Sequence, residues 1–345
     1  MSARNPKEPA ERHLAWLLRL CAADSSSGRE DAVLPALQEI LRELGAELHE
    51  QPVAAGRTNL LASWGTPRVL FSTHLDTVPP FLPPRREAEA LHGRGSCDAK
   101  GQIVAQLAAV EALLGEGRDG FAWLGVVGEE TDSAGAQVAL ALAPRFGALQ
   151  VLINGEPTEG RLATGQRGIQ HWRLCCEGKA AHSGSPELGV NATWPLLDWL
   201  QRLREEPLPA DPELGAELWN LGLLRAGKAL NVVPDHAEAD LFVRSLPGSS
   251  LGARIQALRP PTGRAELLLN EPPDRYPEIP GFPRACMPFG SDLPRLRDLV
   301  PSRTAVLAGP GTITVAHTDH EHLRHTDLEA GIDLNRRLAL HFLDR

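Results

Sequence analysis

The sequence predicts an α/β protein: a mixed, mostly parallel sheet with flanking helices, interrupted by an inserted α+β unit. Three observations predict it. Apolar runs of strand length alternate with stretches of helical period through residues 12–164. Near residue 165 that alternation gives way to an order close to β-α-β-β-α-β. After Pro272 the alternation resumes, so the middle reads as inserted. The expected division is 1–164 and 272–345 for the larger domain and 165–271 for the insert.

The elements follow in order. Arg12–Ala22 has the apolar spacing of an amphipathic helix. Ser27 and Glu30 form a capping-box pattern before Val33, Leu34, Leu37, Ile40, Leu41 and Leu44, and Gly45 stands at the C′ position. Strands are expected near 47–52, 59–64 and 69–73, the last ending in His74-Leu75-Asp76 before Pro79-Pro80. A helix is expected over 100–115, a buried strand over 121–127, a helix over 134–143 and a strand over 150–153. In the insert, 168–177 reads as an exposed strand, 194–204 as a helix and 205–213 as a surface loop. Residues 237–244 read as a strand, 251–258 as a helix and 266–269 as a strand. Residues 291–299 read as helical, 304–307 as a strand and 327–343 as the closing helix.

Composition narrows the function. The 345 residues carry a formal charge of −9 and a pI near 5.8, which gives a nucleic-acid role no electrostatic support. No apolar run approaches the ~20 residues that span a bilayer. The first ten residues lack the apolar centre of a secretory leader, so the expected location is cytoplasmic. Five irregularly spaced cysteines, with no Cys-x-x-Cys, read as reduced thiols.

The chemistry gathers at element ends. His74 and Asp76, Asp98, Glu129 and Glu130, and Glu156 each close a successive element of the larger domain. In an alternating α/β sheet such ends lie along one edge, so these side chains should converge. In His74-x-Asp76 both side chains point the same way, and one can bind metal while the other holds a neighbour. Glu129-Glu130 puts one carboxylate on each side of the backbone, one for metal and one for a proton. Imidazoles with this many carboxylates suit zinc, as two ions sharing one carboxylate. The second imidazole should come from His317, His320, His322 or His325. Cys97 is a softer alternative to Asp98, and Gly93-Arg94-Gly95 lacks the Lys-Ser/Thr of a phosphate loop.

Seven segments carry a resemblance. They are STHLDTVP (72–79), GRGSCDAKG (93–101), GEETDSAGA (128–136), NGEPTEG (154–160), GKAAHSGSPELGVNA (178–192), NVVPDHAEADLFVR (231–244) and GPGTITVAHTDHE (309–321). Together they resemble the dinuclear zinc family of acetylornithine deacetylase, succinyl-diaminopimelate desuccinylase, aminoacylase and glutamate carboxypeptidase. The resemblance implies that His74, Asp98 and Glu156 hold one zinc and that Asp98, Glu130 and His317 hold the other. It implies Asp76 as the residue orienting His74, and Glu129 as general base. It makes the insert a lid and dimerisation domain, with His182, Asn231 and Arg244 in substrate-binding positions and a homodimer formed through the lid.

The implied cofactor is two Zn2+, with Co2+ or Mn2+ as substitutes. The implied reaction removes an acyl group, acetyl foremost, from an N-acyl amino acid such as N-acetylornithine or N-acetyl-lysine, within amino-acid biosynthesis. Carboxypeptidase, dipeptidase and succinyl-diaminopimelate desuccinylase activities are the alternatives within the family. Glu156, where the peptidase branch often has Asp, favours deacylase or carboxypeptidase over dipeptidase and tripeptidase. A catalytically silent binding homologue is the alternative of another class. Neither a nucleic acid nor a membrane is expected as a partner.

Overall fold

The computed structural model describes residues 7–344; residues 1–6, part of the stretch read above for a leader, lie outside them. The main strands are β1 (Glu47–Ala54), β2 (Arg57–Trp64), β3 (Val69–His74), β4 (Phe121–Val126), β5 (Val151–Asn154), β6 (Gly168–Glu177), β7 (Leu218–Ala226), β8 (His236–Ser245), β9 (Gly263–Glu271) and β10 (Ala305–Leu307). The α-helices are α1 (Lys7–Cys21), α2 (Leu34–Glu43), α3 (Lys100–Gly115), α4 (Ala134–Ala139), α5 (Thr193–Glu205), α6 (Leu251–Ala257), α7 (Leu293–Leu296) and α8 (His325–Leu343). The chain forms two compact units. One comprises Met1–Thr164, Tyr276–Ala285 and Ser291–Arg345; the other comprises Gly165–Arg275 and Cys286–Gly290.

The first unit is built on a six-stranded sheet in the order β1-β2-β4-β3-β5-β10. β4, β3, β5 and β10 run parallel, while β1 and β2 pair antiparallel at one edge. β3, β4 and β5 are buried along their whole length, as parallel strands covered on both faces should be. Among the covering helices, α3 packs against α1 and α8 and is buried nearly all round. Truncating a core side chain such as the fully buried Leu107 to Ala should cost ~2–5 kcal/mol. The ladder β4-β3-β5 thus fixes where the chain leaves the C-terminal end of each strand, and His74 and the Glu129-Glu130 turn stand at those ends.

The second unit is a four-stranded antiparallel sheet in the order β7-β8-β6-β9. Alternation assigns its faces. Trp172, Leu174 and Cys176 of β6 and Ala237, Ala239, Leu241 and Val243 of β8 pack with Leu196, Trp199 and Leu203 of α5 and Leu251 and Ile255 of α6. The intervening residues, among them Arg173, Cys175, Glu238 and Asp240, occupy the helix-free face.

Several expectations change. Residues 168–177 are not an exposed strand: β6 is an inner strand with one buried face. The strand β7 was not located, because Leu218–Ala226 is mostly exposed and its Leu-rich run shows no clean alternation. Ser27 does not cap a helix. Residues 30–33 form a 3-10 turn with no side-chain cap, and the Ser27 hydroxyl donates to Asp76 Oδ2 at 2.8 Å instead. The boundary near 272 shifts because Asp274 and Arg275 pair with Gln166 and Gly165. Cys286–Gly290 joins the second unit because Arg167 donates to the Pro288 carbonyl at 2.9 Å. All five cysteines are free.

Candidate metal centre

β3 delivers a buried imidazole to the end of the sheet. His74 is 2% exposed, and its Nε2 lies 2.9 Å from Asp98 Oδ1. Its Nδ1 is 2.9 Å from the Asp76 backbone carbonyl and 3.4 Å from Asp76 Oδ1. A proton on Nδ1 would leave Nε2 as the lone-pair nitrogen facing Asp98, the arrangement a metal-binding histidine needs.

Asp98 faces two imidazoles. Its Oδ2 lies 3.4 Å from His317 Nε2, which in turn lies 2.9 Å from Glu130 Oε1. His317 is held at φ +62°, in the left-handed region that non-glycine residues seldom adopt. Two groups of potential ligands result: His74, Asp98 and Glu156, and Asp98, Glu130 and His317. Within each group the ligand atoms lie within 4.8 Å of one another, and Asp98 belongs to both. Nitrogen and carboxylate oxygen donors, three to a group with one shared carboxylate, fit a pair of zinc-like ions. The surroundings bear the marks of concentrated charge. Burial pushes the Glu156 carboxyl well above the usual carboxylate range, with Asp98, Glu129 and Glu130 adding to the rise. Hydrogen bonding to Asp98 and Glu130 holds His317 up at about 10.

Glu129 belongs to neither group. Burial, with Asp292, Glu130 and Asp98 adding to it, pushes its carboxyl well above the ordinary value, while His74 pulls it down. The turn that carries Glu129 and Glu130 is gathered by Asp76, which is fully buried. Its Oδ1 accepts the N–H of Gly128 and of Glu129, and its Oδ2 that of Glu130, each at 3.1 Å. Gly128 is required there: at φ +80° a Cβ would come within 2.1 Å of Arg57 and 2.4 Å of Asp132, which pair at 2.9 and 3.0 Å.

A second brace was not foreseen. Glu321 and Arg94 form a fully buried ion pair at 2.7 Å. Glu321 Oε1 accepts the N–H of Asp98 at 3.1 Å and of Cys97 at 3.2 Å, while Arg94 also donates to the Thr318 carbonyl at 3.2 Å. The Asp98 loop is thereby tied to the turn carrying His317. Asp292, 1% exposed and pushed by burial up to about 6, was also missed. A Ser-Asp pair ahead of an apolar stretch reads from sequence as an ordinary helix start.

The other candidates fall outside both groups. Cys97 Sγ lies 3.6 Å from the Thr312 carbonyl. The His322 ring stacks on His92 with centroids 5.1 Å apart, while His320 stands in the preceding turn and His325 opens α8. In the second unit, an isolated bridge joins His182 to Val232, and the Ser183 N–H reaches the Asn231 carbonyl at 3.0 Å. Arg244, near the end of β8, lies over the Phe242 ring at 5.0 Å.

Residues 164–259 match the peptidase dimerisation domain of the M20 family. A Schizosaccharomyces pombe "Peptidase M20 domain-containing protein" is 32% identical over 94% of this chain and 83% of its own. The chain belongs to the M20 peptidase family. This M20 chain is therefore a metallopeptidase homologue, a hydrolase acting on amide bonds. An Aspergillus flavus protein named "Probable carboxypeptidase" is 34% identical over 93% of this chain and 85% of its own. Among solved structures, aminopeptidase PepT of Bacillus cereus superposes with a TM-score of 0.76 at 20% identity, covering 97% of this chain and 99% of its own. The M20 metallo-carboxypeptidase Sso-CP2 of Sulfolobus solfataricus gives 0.75 at 17%, covering 96% and 98%. At those identities the two structures speak for the fold: a mixed α/β catalytic domain with an inserted dimerisation domain. Among the described residues no helix is long and apolar enough to cross a membrane.

Proposed function

We propose that this chain is a two-zinc carboxypeptidase, cleaving the last peptide bond of a peptide so that the departing C-terminal amino acid carries a free α-carboxylate. The observation that carries the reading is the pair of three-residue groups sharing Asp98, with Glu129 beside them and in neither. Relatives named "Probable carboxypeptidase", at 32–34% identity, support the substrate class. Glu at position 156 accords with it.

In this reading His74, Asp98 and Glu156 hold one ion and Asp98, Glu130 and His317 the other. When bound, such ions supply Lewis acidity and lower the pKa of water toward neutrality. The chain's own residues do the rest. Asp76 fixes the position of the Glu129-Glu130 turn and the orientation of His74. Glu129 takes the proton of the attacking water and hands it to the departing amine nitrogen. Arg244 suits the substrate carboxylate through a forked, charge-assisted contact, with Asn231 and His182 as further polar contacts. The inserted domain is read as the surface through which two copies pair.

The second reading, removal of an acetyl group from N-acetylornithine or N-acetyl-lysine, rests on the NGEPTEG and GPGTITVAH segments. One panel separates the two. Zinc-, cobalt- and manganese-loaded enzyme is offered peptides with free and amidated C-termini, dipeptides, N-acetylornithine, N-acetyl-lysine, N-acetylmethionine and N-succinyl-diaminopimelate. The carboxypeptidase reading expects the free-carboxylate peptides to be cleaved and their amides spared. Turnover of the N-acyl amino acids with the peptides untouched would replace it.

A further inference from the structure

The helix-free face of the second unit carries a ligand cluster that the peptidase reading does not use. On the inner strands β6 and β8, Cys175 stands directly opposite Glu238, and Glu177 opposite His236. With period two, all four side chains share one face. Cys175, His236 and Glu238 each place a ligand atom within 4.8 Å of the others. The cysteine is 4% exposed, while His236 reaches solvent.

Two of the three are already oriented by neighbours. His236 Nδ1 lies 3.2 Å from Glu177 Oε1, which leaves Nε2 turned toward Glu238 Oε2 at 3.7 Å. Arg225 donates to the other Glu238 oxygen at 2.9 Å. Burial raises the Cys175 thiol, and Arg264, opposite it on β9, works against that rise. A carboxylate on the far nitrogen of an imidazole is the usual support of a metal-bound histidine.

We infer that Cys175, His236 and Glu238 form a binding site for one thiophilic divalent cation of the Zn2+ class. One sulfur, one nitrogen and one oxygen ligand leave a fourth, open position of a tetrahedron. The thiolate selects zinc-like ions over magnesium or calcium. Binding exchanges the thiol proton for the metal: the S–H bond breaks, the proton goes to solvent and the sulfur lone pair binds the cation. Arg225 and Arg264 face the same cluster and lower its net negative charge, so the site should fill only when metal is in excess.

The test uses the full-length enzyme titrated with Co2+. The groups centred on Asp98 hold only nitrogen and oxygen donors, so a thiolate-to-cobalt charge-transfer absorption reports sulfur ligation alone. The wild type should show that absorption and bind one equivalent more per chain than Cys175→Ser, which should lack it. His236→Ala and Glu238→Gln should weaken that equivalent at least tenfold, with peptide hydrolysis unchanged in all three. If Cys175→Ser fails to fold, judged by circular dichroism, the partly exposed Glu238→Gln decides the question. Equal cobalt stoichiometry without the absorption in the wild type, or an absorption that survives in Cys175→Ser, overturns the site and leaves a cross-strand ion-pair network.

Discussion

The carboxylate of Asp76 accepts the backbone N–H of Glu129 at 3.1 Å, and it does the same for the residues on either side. With the Ser27 hydroxyl, four donors converge on one buried anion. Asp76 therefore does more than orient His74: it sets the position from which Glu129 and Glu130 project. Asp76→Asn keeps the shape and discards the charge. Loss of a residue supporting a metal ligand typically costs about 10–100-fold in affinity or activity. That loss should appear in both zinc retention against a chelator and turnover. An Asp76→Asn enzyme that holds zinc and turns over like wild type would leave the turn governed by its own hydrogen bonds to Gly128.

Glu321 and Arg94 brace Asp98 from the other side. Arg94→Met strands a fully buried carboxylate and should cost ~3–5 kcal/mol in chemical denaturation. Glu321→Gln is milder for stability but removes the anion that accepts the Asp98 N–H. It should lower zinc affinity by about 10–100-fold. The double change Arg94→Met with Glu321→Met should recover part of the stability and none of the affinity. Unchanged affinity in Glu321→Gln would mean that the Asp98 loop holds itself.

What was legible in the sequence is what periodicity and strand ends report. The parallel strands, α3, α8 and the run of His74, Asp98, Glu129-Glu130 and Glu156 follow from apolar spacing and from where acids interrupt it, whereas the choice of Glu130 as ligand and of His317 among four histidines rests on the family resemblance. Glu321 and Arg94 were not legible as partners, because a buried ion pair joining residues so far apart leaves no local pattern. Ser27 was misread because a hydroxyl three residues before a glutamate has two uses, and only the tertiary fold decides between a helix cap and Asp76. The strand β7 hid because a largely exposed strand carries no alternation to detect.

Asp240 supplies a test of pH dependence away from the metal centre. Its side chain is 8% exposed, between Arg173 at 2.9 Å and His171 at 3.1 Å. The Arg173 hydrogen bond is the largest influence that lowers its carboxyl below the ordinary 3.8. The unfolded chain thus binds the proton more readily than the folded one. Stability from this group is fully present above about pH 4 and is lost as the pH falls further. Asp240→Asn should be less stable than wild type at pH 7, and the gap should close toward pH 3. Urea midpoints for both chains at pH 7, 5 and 3 give the difference directly. A gap that stays constant across that range would mean the pair contributes through packing rather than charge.

The two adjacent glutamates provide the sharpest test of the proposed roles. Glu130 Oε1 faces His317 at 2.9 Å and falls within a ligand group, whereas Glu129 falls in neither and its carboxyl is pushed up by burial. A carboxylate-to-amide change keeps the size and removes the charge and the proton acceptor. Glu129→Gln should therefore keep its zinc and lose roughly 10²–10⁴ in rate, the usual range for general acid–base assistance. Glu130→Gln should lose zinc, with its residual rate partly restored by excess metal. Elemental analysis beside turnover, on both variants purified identically, separates the roles. Were both glutamates ligands, one to each ion, the two variants would lose metal to a similar degree and both would respond to added zinc. A Glu129→Gln enzyme that is metal-replete yet turns over near the wild-type rate would remove Glu129 from proton transfer altogether and direct attention to Asp292, a buried carboxyl that bears on it and lies outside both ligand groups.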